Sequence, residues 1–247
     1  MESLISLGDV LETYRSKEAG LKALSPYAHW FPLFSSPKLA GVIADLMGDG
    51  HLQSEPKWKI DYCSKQVSEL NRFENEIFTL FGVKGTMRRC STNRYESYLL
   101  SVCNRPLARV LASLGVPSGQ KVLKSFSLPL WIEENPKCFS RFMNRLLSCE
   151  GSVDVCGKAI ELKMAKSIDL IPQGISFFEQ LREGMISHFG ITPTRPFLER
   201  ARCVRKDGVF TQGIRMKIKR ASDLPLVQEM VGIEDPEKSR KLALLCP

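Results

Sequence analysis

The chain carries an internal duplication, because the same succession of helix, turn and strand signals occurs twice. Each copy opens with a capping residue and a proline suited to the first helical position. Each opening helix ends at an acid followed by glycine, Asp49-Gly50 in the first copy and Glu150-Gly151 in the second. Two alternating strands, an amphipathic helix, a second pair of strands and a short helix follow each acid. The duplication therefore predicts an α+β fold built from two αββαββα repeats.

Breaks in this pattern predict the domain boundaries. Pro117, Gly119 and Pro129 interrupt the periodic segments between the two copies, as expected of a linker. The residues before the first copy and after the second have no counterpart in the other copy. We expect an N-terminal extension over 1–36, a first repeat over 37–116, a linker over 117–134, a second repeat over 135–233 and a C-terminal tail over 234–247.

The charge balance indicates a polyanionic partner. Of the 247 residues, 35 are Lys or Arg and 27 are Asp or Glu, so the formal net charge is +8. Nucleic acid is the commonest partner of such a surface. No apolar run is long enough to cross a membrane, and the first residues lack the pattern of a signal peptide. The eight cysteines include no Cys-x-x-Cys pair, and with three histidines neither a disulfide framework nor a zinc site is expected. We therefore expect a cytoplasmic protein in a reducing compartment, with no membrane partner.

Two acids, Asp49 and Glu150, stand at equivalent positions of the two copies. If the helices pack about a pseudo-twofold axis, the carboxylates converge, and two such anions repel by roughly 1 to 4 kcal/mol. The C-terminal helix dipoles add to this negative potential, so a hard divalent cation is the natural counter-ion. Carboxylates holding metal, nearby lysines and a basic surface are the components of phosphodiester hydrolysis. A lone acid before glycine would more simply end a helix. Two in register, each followed sixteen residues later by Lys65 or Lys166, favour the metal site.

Two segments carry a family resemblance. Residues 42–50, Val-Ile-Ala-Asp-Leu-Met-Gly-Asp-Gly, followed by His51-Leu52, resemble the LAGLIDADG motif of homing endonucleases. Residues 143–151, Met-Asn-Arg-Leu-Leu-Ser-Cys-Glu-Gly, resemble a second copy of that motif. Segments 114–121 and 128–132 are similar to stretches common in the same family. The resemblance covers residues 37 to about 233, which is most of the chain.

This resemblance implies a monomer of two pseudo-symmetric halves, with the motif helices at the shared interface and two antiparallel DNA-binding sheets forming a saddle. It implies that Asp49 and Glu150 bind Mg²⁺ (or Mn²⁺), with Gly48 and Cys149 beside them in the metal-binding set. It further implies double-strand cleavage of DNA at a long target site, leaving short 3′ overhangs.

The second motif departs from the family pattern at its small positions. Ala44 and Gly48 are the small residues that let motif helices approach closely in the first copy. In the second copy Arg145 stands where glycine is usual, and Cys149 stands where alanine is. We expect Arg145 to turn out of the helix interface or to pair with an acid.

Basic residues are the predicted DNA contacts. Lys65 and Lys166 are the candidates for catalytic lysines near the scissile phosphates, whereas other family members place such a residue on the later hairpin, where the second copy offers Lys217 and Lys219. Alternation as in Arg215-Met216-Lys217 puts cations on one face of a strand, as a sheet in the major groove needs, although solvated strand faces are the simpler alternative. The predicted DNA-binding residues are Lys84, Arg88, Arg89, Arg94, Arg200, Arg202, Arg205, Lys206, Arg215, Lys217 and Lys219.

The leading hypothesis is a free-standing or intron-encoded, site-specific DNA endonuclease acting on double-stranded DNA. An intein is disfavoured because the chain ends Leu245-Cys246-Pro247, without the His-Asn pair that splicing needs. The alternatives are an RNA maturase that binds structured intron RNA, or a cleavage-inactive DNA-binding protein on the same scaffold. The acids of both motifs favour the nuclease, since a pure binder has no need of two repelling carboxylates. A generic basic α+β protein would make the double motif a coincidence.

Overall fold

The computed structural model describes residues 3–90 and 96–246 of the chain. The chain divides into two compact units, Met1–Gly119 and Gln120–Pro247. No helix within the described ranges is both long and apolar enough to span a bilayer.

The first unit contains five α-helices, one 3₁₀ helix (Ser25–Trp30) and six strands within its described residues, 3–90 and 96–119. Strands 1 and 2 form a two-stranded sheet in the N-terminal extension, and the other four form an antiparallel sheet in the order β3-β4-β6-β5. The elements are β1 (Ser3–Ile5), α1 (Leu7–Leu11), α2 (Lys17–Leu24), β2 (Leu33–Phe34), α3 (Pro37–Met47), β3 (Gly50–Leu52), β4 (Ile60–Ser64), α4 (Val67–Phe81), β5 (Thr86–Arg89), β6 (Tyr98–Val102) and α5 (Arg105–Ser113).

The second unit repeats this plan within residues 120–246. Its antiparallel sheet has the order β7-β8-β10-β9, the same connectivity as the sheet of the first unit. Its elements are α6 (Leu130–Glu133), α7 (Pro136–Glu150), β7 (Gly151–Asp154), β8 (Ala159–Ser167), α8 (Ile171–Phe189), β9 (Phe197–Val204), β10 (Phe210–Ile218), α9 (Asp223–Leu226) and α10 (Pro236–Ala243). Both units therefore contain the predicted αββαββα order, from α3 to α5 and from α7 to α9, and the α+β prediction is confirmed.

Each sheet is covered on one side by the long helix that follows its first hairpin. In α4 the side chains of Leu70, Phe73 and Ile77 are fully buried, and the ring of Phe73 stacks on Tyr62 of β4 with centroids 4.5 Å apart. Burial of each such side chain stabilises the fold by about 1.5–3 kcal/mol. Both helices end at a glycine with positive φ, Gly82 at 66° and Gly190 at 67°, a conformation that suits a residue without a Cβ. The opposite faces carry polar side chains, among them Asp61 and Ser101 in the first sheet and Glu161, Lys163 and Arg215 in the second.

Candidate nucleic-acid interface

The first motif helix, α3, places Asp49 at a tight turn into β3. The helix begins where the Ser36 hydroxyl accepts a hydrogen bond from the Leu39 amide, and its last residue is Met47. A Cβ on Gly50 would lie 2.8 Å from the Leu46 Cα, so glycine is needed for β3 to turn back against its own helix. The side chain of Asp49 is exposed between two buried glycines. Close packing, and not only helix termination, therefore explains the glycine after the acid.

The second motif helix, α7, also leads into its strand through a closely packed glycine. Its last residue is Glu150, which is half-buried, and a Cβ on Gly151 would lie 3.0 Å from the Leu147 Cα. The Lys238 ammonium of α10 donates to the carbonyls of the last turn, including that of Cys149 at 3.3 Å. A cation at this end of a helix offsets the negative pole of its dipole. A residue of the predicted C-terminal tail thus stabilises the helix end that carries the acid of the second motif.

Arg145, the residue that departs from the motif pattern, pairs with an acid. It is 1% exposed, and its guanidinium lies 2.9 Å from the Glu234 carboxylate. Arg141, one turn earlier, pairs with the same carboxylate. The Ser148 hydroxyl accepts from the Glu234 amide at 2.9 Å and donates to the Asn144 carbonyl at 2.7 Å. Of the two expectations for Arg145, the structure therefore confirms that it pairs with an acid.

The chemistry of the motif ends suits a hard divalent cation. Each unit offers one carboxylate at the C-terminal end of its motif helix, Asp49 or Glu150, and oxygen donors of this kind are those that Mg²⁺ and Mn²⁺ prefer. Within residues 3–90 and 96–246, no group of three or more His, Cys, Asp or Glu side chains is arranged to hold a metal.

The equal spacing of Lys65 and Lys166 does not make them structurally equivalent. In the first hairpin Gly50 faces Tyr62, twelve residues later, whereas in the second Gly151 faces Leu162, eleven residues later. The second hairpin is one residue shorter, so Lys166 is displaced by one position along its strand. A shift of one residue moves a side chain to the other face of a sheet. Lys65 is exposed just beyond β4, and Lys166 is only 3% exposed.

The side chain of Lys166 contacts the predicted linker, residues 117–134. Its ammonium donates to the carbonyls of Lys121 at 2.9 Å and Lys124 at 2.7 Å, and lies 3.6 Å from the centre of the Phe126 ring. Burial, with a smaller contribution from the Lys121 charge, lowers the pKa of Lys166 to about 8. These contacts are those of a structural lysine, in contrast to the position of Lys65.

The open face of the second sheet carries a ladder of alternating charges. Arg215 of β10 pairs with Glu161 of β8 at 3.1 Å and also with Glu199 of β9. Lys217 pairs with Glu161 at 3.0 Å, and Lys163 pairs with Glu199 at 2.7 Å. The hydrogen bond from Lys163, and then that from Arg215, keeps the pKa of Glu199 below its usual range. Two acids therefore partly neutralise the cations predicted for this face.

The glycine opposite Glu199 explains how its carboxylate reaches across β10. A Cβ on Gly213 would collide with the Glu199 carboxylate, so a larger residue there would exclude it from the ladder. Among the other predicted contacts, Arg205 lies in the β9–β10 turn and pairs with Asp207 at 3.1 Å. The remaining predicted residues of this unit, Arg200, Arg202, Lys206 and Lys219, are exposed.

The first sheet presents a more polar and less charged face. Asp61 of β4 accepts from Ser101 at 2.7 Å and lies 2.9 Å from the Lys59 ammonium. Arg88 and Arg89 are exposed on β5. Lys84 is also exposed, with its ammonium 5.0 Å from the centre of the Phe78 ring, and Arg94 lies outside the described residues.

Comparison with known proteins identifies the fold. The chain is similar to I-DmoI, solved in complex with DNA and Mn, with a TM-score of 0.50 and 15% identity over 79% of this chain and 96% of that one. It is also similar to the homing endonuclease I-WcaI, solved bound to its DNA recognition sequence, with a TM-score of 0.53 and 12% identity over 89% and 91% of the two chains. This chain has the LAGLIDADG homing-endonuclease fold. The fold that the two motifs implied is thereby confirmed.

Sequence comparison adds one relative outside these structures. The chain is 30% identical over 137 residues to the tRNA-splicing ligase RtcB of Methanopyrus kandleri, a match over 49% of this chain. The matched part makes up 14% of the length of that curated relative. No protein-family profile matches the chain.

Several residues of this LAGLIDADG fold were missed by the sequence analysis. Glu161, Glu234 and Lys238 each contact a residue far away in the sequence. The sequence does alternate along β8, so that Glu161 and Lys163 lie on one face of the strand. This alternation is a signal from which the charge ladder could have been predicted. The partners of Arg145 and of the α7 carbonyls lie in the tail, where the sequence carries no motif.

The buried Lys166 predicts a pH dependence of stability. Between the lowered pKa of about 8 and the ordinary value of 10.5, the unfolded chain keeps a proton that the folded chain has released. The free energy of unfolding therefore rises with pH across this window through this group, and Lys166→Met should remove the rise. Urea unfolding of both proteins at several pH values across the window measures the difference. Lys65→Met, at an exposed lysine, is the matched control, and a difference independent of pH would contradict the prediction.

Proposed function

We propose that this protein is a site-specific, metal-dependent DNA endonuclease of the homing type. The observation that carries the proposal is that a carboxylate stands at the C-terminal end of each motif helix, two residues after α3 (Asp49) or as the last residue of α7 (Glu150). Each is followed by a glycine that packs against that helix. Each carboxylate directly precedes the first strand of an open antiparallel sheet. The proposal is supported by the fold shared with I-DmoI and I-WcaI, both solved with bound DNA.

The open sheet faces would bind the DNA. Arg88 on β5 is an exposed cation on the same face of the first sheet as Asp61 and suits phosphate contacts or guanine edges in a major groove. Arg202 of β9 is paired through Gln212 with Lys166, so it lies on the other face of the second sheet. On the second sheet, DNA phosphates would compete with Glu161 and Glu199 for Arg215 and its neighbours. Binding would therefore depend strongly on salt, because each phosphate contact releases condensed counter-ions.

The motif carboxylates would hold the metal. A divalent cation bound at Asp49, with Gly48 beside it, or at Glu150, with Cys149 beside it, would supply Lewis acidity at the phosphate and a more acidic water. The exposed Lys65 is the proposed basic residue near the scissile phosphate of the first unit. The contacts of Lys166 with two linker carbonyls favour a structural role for that residue. Lys238 keeps the end of α7 in place beside Glu150.

Removal of Glu199 should tighten DNA binding. Glu199→Gln keeps the side-chain size but removes the charge that pairs with Lys163 and Arg215, which would then be available to phosphates. We expect an affinity about threefold to tenfold higher at low salt, with a steeper salt dependence. Fluorescence anisotropy with labelled duplex DNA at several salt concentrations measures both. Glu237→Gln, which removes a charge paired with Lys241 on α10, is the control, and equal effects of the two variants would contradict the role of the ladder.

Cleavage of a randomised duplex library tests the proposed activity. Purified protein is incubated with the library in Mg²⁺, in Mn²⁺ and in EDTA, and the cut ends are sequenced. Cleavage of both strands at one sequence, lost in EDTA, is the expected result. Salt-sensitive binding to DNA without cleavage would instead indicate a DNA-binding protein, and preferential binding to structured intron RNA would indicate a maturase.

A further inference from the structure

The first unit contains a cavity that the proposed endonuclease activity does not use. Its volume is about 880 Å³, and it lies between the N-terminal extension, the β3–β4 loop and the start of α5. β3 runs from Gly50 to Leu52, and the loop leaves it at the end remote from Asp49. Leu52 pairs with Ile60 and Ile60 with Val102, so the loop and the start of α5 meet at that same end of the sheet. The cavity is therefore separate from the motif carboxylate.

Aromatic rings and arginines line this cavity. The Arg109 guanidinium lies between two rings, 4.2 Å from the centre of Tyr14 and 4.4 Å from that of Trp58. Tyr27 forms another part of the wall, and the exposed Arg15 and Arg105 lie in the lining. The lining contains three arginines and a single acid, Glu55, so its net charge is positive.

Hydrogen-bond donors in the wall lack acceptors. Within the described residues, Tyr14 Oη, Trp58 Nε1 and Arg109 Nε are buried and make no hydrogen bond. The indole and guanidinium nitrogens can only donate, and a buried donor without an acceptor costs about 1–3 kcal/mol. Arg109 as a whole is 7% exposed. A ligand's acceptors would reach these donors, and offset the cost, only if the stack of Tyr14, Arg109 and Trp58 shifted on binding.

The backbone of Trp58 is strained as well. Its φ is +44°, in the left-handed region that a bulky side chain rarely adopts. The ion pair between Arg15 and Glu55, at 2.8 Å, ties the loop to the N-terminal extension. Strain of this kind concentrates at binding sites, where the position of the ring matters more than local stability.

We propose that this cavity binds an unpaired nucleotide, with the base stacked on the aromatic wall and the phosphate paired with Arg15 and Arg105. A base offers a flat face for stacking, and the phosphate matches the excess positive charge. A base in a duplex is already stacked and paired, so the ligand is a free nucleotide or a nucleotide of a single strand. This inference does not depend on DNA cleavage.

Titration of the intact protein with nucleotides tests the proposal. The probes are dAMP, a single-stranded oligodeoxynucleotide, the same sequence as a duplex, and a proline-rich peptide, and the signal is tryptophan fluorescence. Trp58→Phe assigns the signal, because Trp30 and Trp131 remain in that variant. We expect saturable quenching by dAMP and by the single strand that is lost in Trp58→Phe. A similar affinity for both identifies a free-nucleotide site, and a much tighter single strand identifies a strand-binding site.

Substitution of the exposed arginines in the lining tests whether the nucleotide binds in this cavity. Arg15→Gln combined with Arg105→Gln should weaken binding of dAMP and of the single strand about tenfold or more. Lys22→Gln, at an exposed lysine of α2 outside the cavity, should leave both affinities unchanged. Equal affinity in the double variant and the wild type would overturn the proposal, as would binding of the peptide alone or the absence of any quenching. Unchanged thermal unfolding of the variants confirms that they are folded.

Discussion

Asp49→Asn and Glu150→Gln should each lower the rate of DNA cleavage by at least about a thousandfold. Both substitutions keep the size and hydrogen-bonding capacity of the side chain and remove the negative charge at the end of a motif helix. A carboxylate that holds a catalytic metal stabilises the transition state by several kcal/mol. Each 1.36 kcal/mol added to the activation free energy lowers the rate about tenfold. Single-turnover cleavage of the selected target site at saturating protein measures the effect.

The DNA affinity of the same variants separates catalysis from folding. Removal of an anion near bound phosphates should leave the affinity unchanged or raise it, so the loss would lie in the chemical step. Glu12→Gln, at an exposed carboxylate just after α1, is the matched control and should cleave at the wild-type rate. Wild-type cleavage by either motif variant would contradict the assignment of that acid as a metal ligand.

Arg72→Met should lower the free energy of unfolding by about 3–5 kcal/mol. Its guanidinium lies 2.9 Å from the carboxylate of Asp45, which is fully buried in the first motif helix. Loss of an ionic partner leaves a buried charge poorly compensated, which is the costly way to break such a pair. Arg72 also pairs with Glu69 at 3.2 Å and with Glu76 at 3.0 Å, so the variant removes the centre of a network. Urea unfolding followed by circular dichroism measures the change.

The second motif helix suggests how that stability can be recovered. Leu146 occupies the position in α7 that Asp45 occupies in α3, and it is also fully buried. The double substitution of Asp45→Leu and Arg72→Met should therefore regain part of the loss, because it removes the buried Asp45 charge. The part that remains reflects Glu69 and Glu76, which still lose their pairing with Arg72. Arg182→Met in α8, at an arginine of similar exposure that lies 3.7 Å from Glu179 and donates to the Pro193 carbonyl at 3.2 Å, should cost about 1–2 kcal/mol. An equal cost for Arg72→Met and Arg182→Met would contradict the special role of the buried carboxylate.

The two lysines illustrate what spacing in a sequence can and cannot predict. Lys65 and Lys166 both follow their acids by sixteen residues, and counting alone treats them as a pair. The pairing of Gly50 with Tyr62 and of Gly151 with Leu162 differs by one residue in hairpin length. Side chains alternate between the faces of a strand, so this single residue decides which lysine is exposed and which is buried.

The repeated αββαββα order, the ends of both motif helices and the acids at those ends were all determined by the sequence itself. These features depend on signals within a few residues, such as Ser36 before its helix, Gly50 and Gly151 after the acids, and the alternation along each strand. The tertiary structure alone decided which charges are paired. Arg215 meets Glu161 from another strand, and Arg145 meets Glu234 from the tail. These contacts join residues far apart in the chain, and their partners are set by strand register and helix packing, which no local pattern encodes.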